Sequence, residues 1–140
     1  MTTETLYKEV LLDHFHHPRN KGDLAGADIT RRGSNPRCGD EIEVGLELDG
    51  DRIARARFRG RGCSVCVASA SLMTEAVSGR DTGDARAMAT AMGDWLSSGD
   101  AGHHAPPAGL DALSAVRAYP ARRRCVLLSW EALADAIDAL

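Results

Sequence analysis

The stretch from residue 41 to residue 59 constrains the fold more than any other part of the chain. Apolar side chains occupy alternate positions in EIEVGLEL, residues 41–48, and again in residues 54–59, where they alternate with arginine. The turn-forming residues Asp49, Gly50 and Asp51 separate the two runs. A period of two is typical of a strand with one buried face, so the stretch predicts an antiparallel β-hairpin.

The same pattern predicts the pairing of the two strands. A two-residue Asp-Gly turn would place Val44 opposite an arginine and bring charge to the core face. A three-residue loop instead pairs Val44 with Ala56 and Ile42 with Phe58. It also sets glutamate against arginine on the solvent face, in the pairs Glu43–Arg57 and Glu41–Arg59. We therefore expect an odd-length loop in which Gly50 or a neighbour has a positive φ.

Helical periodicity accounts for most of the remaining chain. Helices are predicted for residues 3–16, 64–78, 84–98 and 110–118 and from residue 120 onward, and a short extended piece for residues 29–32. Residues 98–109, rich in glycine and proline, are expected to form a loop. The predicted class is α+β, a small antiparallel sheet of about three strands with helices packed on one face. A chain of 140 residues is the size of one domain, so we expect a single domain over residues 1–140.

Composition limits the partners and the cellular compartment that are expected for this chain. The formal net charge is −3 and 26% of residues are charged, which gives no reason to expect nucleic acid as a partner. The run Arg122-Arg123-Arg124 is expected to be a solvated helix edge. The N-terminus lacks the features of a signal peptide, and no apolar stretch is long enough for a membrane span. A cytoplasmic protein with four cysteines is expected to use them in metal or sulfur chemistry.

Three of the cysteines lie at the predicted ends of elements, where one edge of a small domain can gather them. They are Cys38, Cys63 and Cys125. Asp40 follows Cys38 by two residues, so in an extended segment both side chains point to the same side. Three thiolates and a carboxylate would complete a tetrahedral zinc site or hold an iron–sulfur cluster.

Two other groups are weaker candidates. Cys63 and Cys66 form a CxxC pair at the start of a helix, as in thiol redox proteins, but the preceding strands form a hairpin and not a βαβ unit. His103 and His104 are adjacent histidines in the predicted loop, and we expect them to be exposed loop residues.

The order of the motifs is more specific than any one of them. LYKEVLLDHFHHPRNKGDL, NPRCGDEI, FRGRGCSVCVASASLMTEAVSG and YPARRRCVLLSWEAL together resemble the U-type iron–sulfur cluster assembly family, which includes IscU, the NifU N-terminal domain and SufU. The resemblance spans residues 6–134 and is strongest to the SufU branch. Arg124 stands where IscU-type proteins have histidine, and the Cys63–Cys125 interval is longer than in IscU. AYPAR replaces the segment by which a dedicated chaperone recognises IscU, so a chaperone-driven release step is not expected.

The resemblance implies a SufE/NifU-like fold in which Cys38, Asp40, Cys63 and Cys125 bind Zn²⁺. It implies a role as acceptor of persulfide sulfur from a pyridoxal-phosphate cysteine desulfurase of the SufS type, with Cys38 as acceptor and Cys125 as the alternative. Downstream recipients would be an iron–sulfur scaffold or apoproteins. Two alternatives remain open: a scaffold holding a transient [2Fe-2S] cluster on the same four residues, and a module with a purely structural zinc.

Two residues near the implied ligands have auxiliary roles in these hypotheses. Cys66 is expected to be a small buried side chain that could replace Cys38 as a ligand when Cys38 is released. Arg124 could stabilise thiolate or persulfide charge beside Cys125, or merely contact solvent.

Overall fold

The computed structural model describes residues 3–36, 39–97, 109–117 and 119–140. The strands form one antiparallel sheet in the order β1-β2-β3. In chain order the elements are α1 (Thr3–His16), β1 (Ile29–Asn35), β2 (Asp40–Asp49), β3 (Arg52–Arg61), α2 (Ser64–Val77), α3 (Thr82–Ser97), a 3-10 helix (Asp111–Val116) and α4 (Pro120–Asp138). The predicted α+β class is confirmed. The first strand extends beyond the expected residues 29–32, and the segment expected as a helix over residues 110–118 is a short 3-10 helix.

The helices pack against one face of the sheet, α2 against β3 and α4 against β1 and β2. Gly33 makes close packing of α4 possible, because a Cβ there would lie only 2.8 Å from the carbonyl oxygen of Leu128. Every residue of α2 from 66 to 74 is buried, since α1 and α4 also contact this helix. Small side chains on α2 therefore allow three neighbouring elements to approach it. In the part of the chain that the structure describes, no helix is long and apolar enough to cross a membrane.

The hairpin has the predicted faces but not the predicted register. Val44 pairs with Phe58 and Glu43 with Arg59, two residues away from the expected pairing. The expected three-residue loop is also wrong, because Asp49 pairs with Arg52 and leaves a two-residue loop. Gly50 in that loop has φ +62°, which confirms the expected positive φ.

A β-bulge accounts for the difference in register. The pairing shifts after Glu47, so that Arg55 pairs with Glu47, Ile53 pairs with Leu48, and Ala54 between them is the extra residue. Ile53 is fully buried while Ala54 is exposed, the reverse of the alternation predicted for Ala54. Burying an isoleucine stabilises the fold by about 1.5–3 kcal/mol, more than an alanine can contribute. The bulge lets Ile53 join the core without moving the rest of β3 to the wrong face.

Gly60 provides a test of the packing between β2 and β3. It has φ +132°, and a Cβ there would lie 2.0 Å from the carbonyl oxygen of Glu41. We expect Gly60→Ala to lower the free energy of unfolding by about 2–4 kcal/mol, because strand separation and an unfavourable φ both add cost. Gly93→Ala is the matched control, since nothing lies within 4 Å of its Cβ position in α3. Urea unfolding measures both variants, and equal stabilities would contradict the close approach.

Helix α1 docks on α2 through a buried histidine. Among the α1 side chains that the structure describes, only His14 is buried, at 6% exposed. Its Nδ1 lies 2.8 Å from Ser71 Oγ, and the backbone N–H of Arg19 donates to the same oxygen at 2.8 Å. The Ser71 hydroxyl can donate its proton to a neutral Nδ1 or accept from Nδ1–H, so either tautomer of His14 joins α1 to α2. Burial, followed by the charge of Arg19, lowers the pKa of His14.

The lowered pKa predicts how stability depends on pH. A histidine that is neutral in the folded state and titrates near pH 6.5 when unfolded stabilises the fold fully above that pH. This contribution is lost as the pH falls below about 6.5, because the unfolded state then binds the proton more strongly. Urea unfolding of the metal-free protein at pH 7.5 and 5.5 should show a larger loss for the wild type than for His14→Gln. Parallel losses in the two proteins would exclude His14 as the cause.

Candidate metal centre

Three of the predicted site residues meet at one end of the sheet. The carboxylate of Asp40 and the sulfur atoms of Cys63 and Cys125 each offer a ligand atom, and these atoms all lie within 4.8 Å of one another. Asp40 is the first residue of β2, Cys63 is the N-cap of α2, and Cys125 lies near the start of α4. The expectation that element ends would gather these side chains is thus met for the three residues.

The turn between β1 and β2 positions Asp40. Asn35 pairs with Asp40 across the two strands, and the N–H of Gly39 donates to the carbonyl oxygen of Asn35 at 2.9 Å. Gly39 has φ +73°, a conformation that glycine adopts readily. Asp40 is 3% exposed, so its carboxylate lies inside the fold.

Asp40 is also bonded to the start of α2. Its Oδ1 accepts a hydrogen bond from the backbone N–H of Cys63 at 3.1 Å. The Cys63 side chain makes no capping hydrogen bond to α2, so its thiol group is left for other chemistry. The positive end of the helix dipole favours a thiolate at this position.

Cys125 is held in the opposite wall of the site. It is 7% exposed, and its Sγ donates to the carbonyl oxygen of Ala121 at 3.5 Å. Burial raises the pKa of the Cys125 thiol well above its usual range, and hydrogen bonding and negative charge from Cys63 and Asp40 raise it further. A thiolate at Cys125 would therefore be costly here without a compensating cation.

The donor set fits a zinc ion. Zinc binds thiolate sulfur at about 2.3 Å and carboxylate oxygen at about 2.0–2.2 Å, so its tetrahedral ligand atoms lie about 4 Å or less from each other. The observed limit of 4.8 Å requires only small side-chain movements. Zinc would thus be held by Asp40, Cys63, Cys125 and one further ligand.

Cys38 lies outside the described residues. Its chain neighbours Asn35, Pro36 and Asp40 line an open cavity of about 920 Å³ that also contains Cys63 and Cys125. The polypeptide on both sides of Cys38 therefore borders the site.

The same cavity reveals residues that sequence reasoning did not assign. Pro120, Ala121 and Arg122 form its wall beside Cys125, together with Arg124. Arg124 Nη1 is hydrogen-bonded to Glu131 Oε1, so this guanidinium faces an acidic partner at the cavity rim. His103 and His104 lie outside the residues that the structure describes.

Cys66 lies behind the site and not in it. Its side chain is 1% exposed and belongs to the hydrophobic core, as expected for a small buried residue. Among the described residues its sulfur is not part of the group of mutually close ligand atoms. A Cβ on Gly62 would lie 2.9 Å from Cys66 Sγ and 3.1 Å from Asp40 Oδ1, so the missing side chain of Gly62 leaves room for both. The sequence GRGC contains this glycine, but its spacing role becomes visible only in the fold.

Gly62 therefore tests the back wall of the site. We expect Gly62→Ala to weaken zinc binding by about tenfold or more. The added methyl group would displace Asp40, a proposed ligand, or Cys66 behind it, and residues that support a ligand determine its position. Competition with a chromogenic chelator measures the zinc affinity. Gly93→Ala serves as the control, and an affinity for Gly62→Ala equal to that of the control would contradict the proposed contact.

Known proteins are similar to this chain in both sequence and fold. The family model described as the NifU-like N terminal domain matches residues 6–137. "Zinc-dependent sulfurtransferase SufU" of Bacillus subtilis is 40% identical over 130 residues, covering 93% of this chain and 88% of the relative. "Iron-sulfur cluster assembly scaffold protein IscU" of Streptococcus pyogenes is 33% identical over 132 residues, covering 94% and 82%.

The crystal structure of FiSufU from Fervidobacterium islandicum superposes with a TM-score of 0.82 at 26% identity and covers 97% of this chain and 99% of its own. This similarity confirms the expected NifU-like architecture. The chain belongs to the U-type iron–sulfur cluster assembly family, within the group defined by the NifU-like N-terminal domain.

Proposed function

We propose that this protein is a zinc-dependent acceptor and carrier of persulfide sulfur that works with a cysteine desulfurase of the SufS type. The observation that carries the proposal is the meeting of Asp40, Cys63 and Cys125 at a cavity that is open to a partner. Support also comes from the Bacillus subtilis relative, which is named a zinc-dependent sulfurtransferase. We place this chemistry in the cytoplasm, where thiols stay reduced.

The proposed zinc ligands are Asp40, Cys63, Cys125 and Cys38. When bound, zinc would keep the cysteine thiols deprotonated and nucleophilic at neutral pH. Asp40 would hold the metal through oxygen, a weaker ligand for zinc than thiolate, and this would suit a site that must exchange ligands. Its hydrogen bond from Cys63 N–H keeps the carboxylate in place during such an exchange.

Cys38 is the proposed sulfur acceptor. Its thiolate attacks the outer sulfur of the persulfide on the desulfurase, and the donor's S–S bond breaks. The donor cysteine leaves as a thiolate, and Cys38 becomes the persulfide, so no external oxidant or reductant is needed. Cys63 and Cys125 cap or belong to helices, whereas Cys38 lies in the connection between β1 and β2. Cys125 is the alternative acceptor; Arg124 lines the same cavity, but its guanidinium is bonded to Glu131.

A second candidate function is a scaffold for a [2Fe-2S] cluster. Three cysteines and a carboxylate are also suitable cluster ligands, and a relative from Streptococcus pyogenes is named an iron-sulfur cluster assembly scaffold. The cluster would be assembled on the same four residues and passed to apoproteins. In a third possibility the zinc only stabilises the fold.

Removal of the proposed acceptor thiol distinguishes sulfur transfer from the scaffold and structural-zinc functions. We expect the zinc-loaded protein to stimulate alanine formation by a SufS-type desulfurase, and Cys38→Ala to reduce the stimulation at least tenfold. Cys66→Ser is the matched control, because this cysteine is not in the ligand group. Unchanged zinc affinity and stimulation in Cys66→Ser would also discard the hypothesis that Cys66 replaces Cys38 on the metal.

The alternatives give different results in two further measurements. A scaffold should form a stable chromophore with iron and sulfide under anaerobic conditions and pass it to an apoprotein. A structural zinc should leave stimulation intact after chelation while the melting temperature falls. Stimulation by Cys38→Ala equal to that of the wild type would contradict sulfur acceptance by Cys38.

A further inference from the structure

Cys63 and Cys66 are placed at the start of α2 in a way that suits disulfide formation. Cys63 is the N-cap residue, with φ −65° and ψ 167°, and Cys66 lies in the first turn of the helix. Residues three apart on a helix have Cβ atoms about 5–6 Å apart, and a disulfide requires about 3.5–4.5 Å, so the two side chains must approach each other by about 1–2 Å. Cys63 is the N-cap residue, and its carbonyl oxygen accepts the first helical hydrogen bond, from Val67 N–H at 3.1 Å. The remaining approach therefore comes from side-chain rotation and a small backbone adjustment at this end of α2.

The sulfur of Cys66 points toward the segment that carries Cys63. Helical side chains lean toward the N-terminus of their helix, and Cys66 Sγ lies 2.9 Å from the position that a Cβ on Gly62 would take. Gly62 immediately precedes Cys63 and has no side chain to separate the two thiols. Cys63 is only partly buried and lines the open cavity, whereas Cys66 is 1% exposed. One thiol is therefore accessible to reagents and the other is held behind it.

We propose that Cys63 and Cys66 form a redox pair that is oxidised by low-molecular-weight disulfides and so removes Cys63 from the metal centre. This pair adds a redox response to the site and does not depend on sulfur transfer. Cys66 is suited to the role because it lies outside the group of ligand atoms formed by Asp40, Cys63 and Cys125. It can attack Cys63 without first leaving the metal.

The reaction consists of two thiol–disulfide exchanges. The thiolate of Cys63 attacks oxidised glutathione, and one glutathione thiolate leaves. The thiolate of Cys66 then attacks the Cys63 sulfur of the mixed disulfide, and the second glutathione leaves. Two protein thiols lose two electrons in total, and one glutathione disulfide is reduced to two thiols. Cys63 then has no thiolate to offer a metal ion, so zinc is held less tightly.

Peptide mapping tests the pairing directly. Trypsin cleaves after Arg61 and Arg80, so residues 62–80 form one peptide that contains both cysteines. The protein is treated with oxidised glutathione and its remaining thiols are then alkylated. We expect the peptide of residues 62–80 to contain an internal disulfide, with neither glutathione nor an alkyl group on its cysteines. The same result is expected for the metal-free and the zinc-loaded protein. Zinc release, followed with a chromogenic chelator, should keep pace with disulfide formation.

Two variants make the test specific. Cys66→Ala should stop at the mixed disulfide on Cys63 or cross-link to Cys125, so that its peptide of residues 62–80 carries glutathione or is joined to the peptide of residues 125–140. Ser64→Ala, in the same turn, should behave as the wild type. Metal-free Cys125→Ser should still form the internal disulfide, and thermal melting checks that each variant folds.

The competing partner is Cys125, whose sulfur also lies within 4.8 Å of Cys63. A wild-type cross-link between the peptide of residues 62–80 and that of residues 125–140 would overturn the proposal. Glutathione retained on Cys63 in the wild type to the same extent as in Cys66→Ala would overturn it as well. Neither measurement uses the desulfurase, so sulfur transfer by Cys38 is tested separately.

Discussion

The hydrogen bond from Cys63 N–H to Asp40 Oδ1 joins the two elements on which the site depends. It connects the first residue of β2 to the N-cap of α2, and it gives the helix a carboxylate partner in place of an ordinary capping side chain. The same carboxylate is one of the ligand atoms of the candidate metal centre. Helix capping and ligand orientation are therefore achieved by one side chain, and Cys63 is positioned by its backbone while its sulfur remains available.

The site brings acidic groups together at one cavity. Asp40 and Cys125 are both buried, and the raised pKa of Cys125 reflects how poorly this environment supports several negative charges. A bound cation would remove that conflict, because it interacts with all the ligands at once. The arrangement of the candidate metal centre thus favours a bound cation over uncompensated negative charge.

The sequence predicted the faces of the elements better than their pairing. Alternation showed that Val44 and Phe58 share a face, because parity alone decides this. The register was wrong because a bulge at Ala54 gains the burial of Ile53, and local alternation carries no information about such a gain. The longer β1 was also missed, since its residues 33–35 lack an apolar pattern.

The residues of the candidate site could likewise be predicted only in part. Asp40, Cys63 and Cys125 could be predicted from motif order and from the tendency of element ends to meet at one edge of a small domain. The position of Cys66 behind Gly62 could not, because it depends on a contact between a side chain and a neighbouring backbone in three dimensions. The packing of α4 places three further residues in the cavity wall, and no local sequence pattern predicts this packing. These residues are Pro120, Ala121 and Arg122.

The two-residue hairpin loop has a practical consequence for following this protein in solution. Gly50 and Asp51 are exposed, and no atom lies within 4 Å of the Cβ position of Gly50. They lie at the end of β2 opposite to Asp40, and a ten-residue strand is about 30 Å long. A fluorophore attached at this loop would report distance changes to a labelled partner while leaving the cysteine-rich end of the molecule chemically untouched.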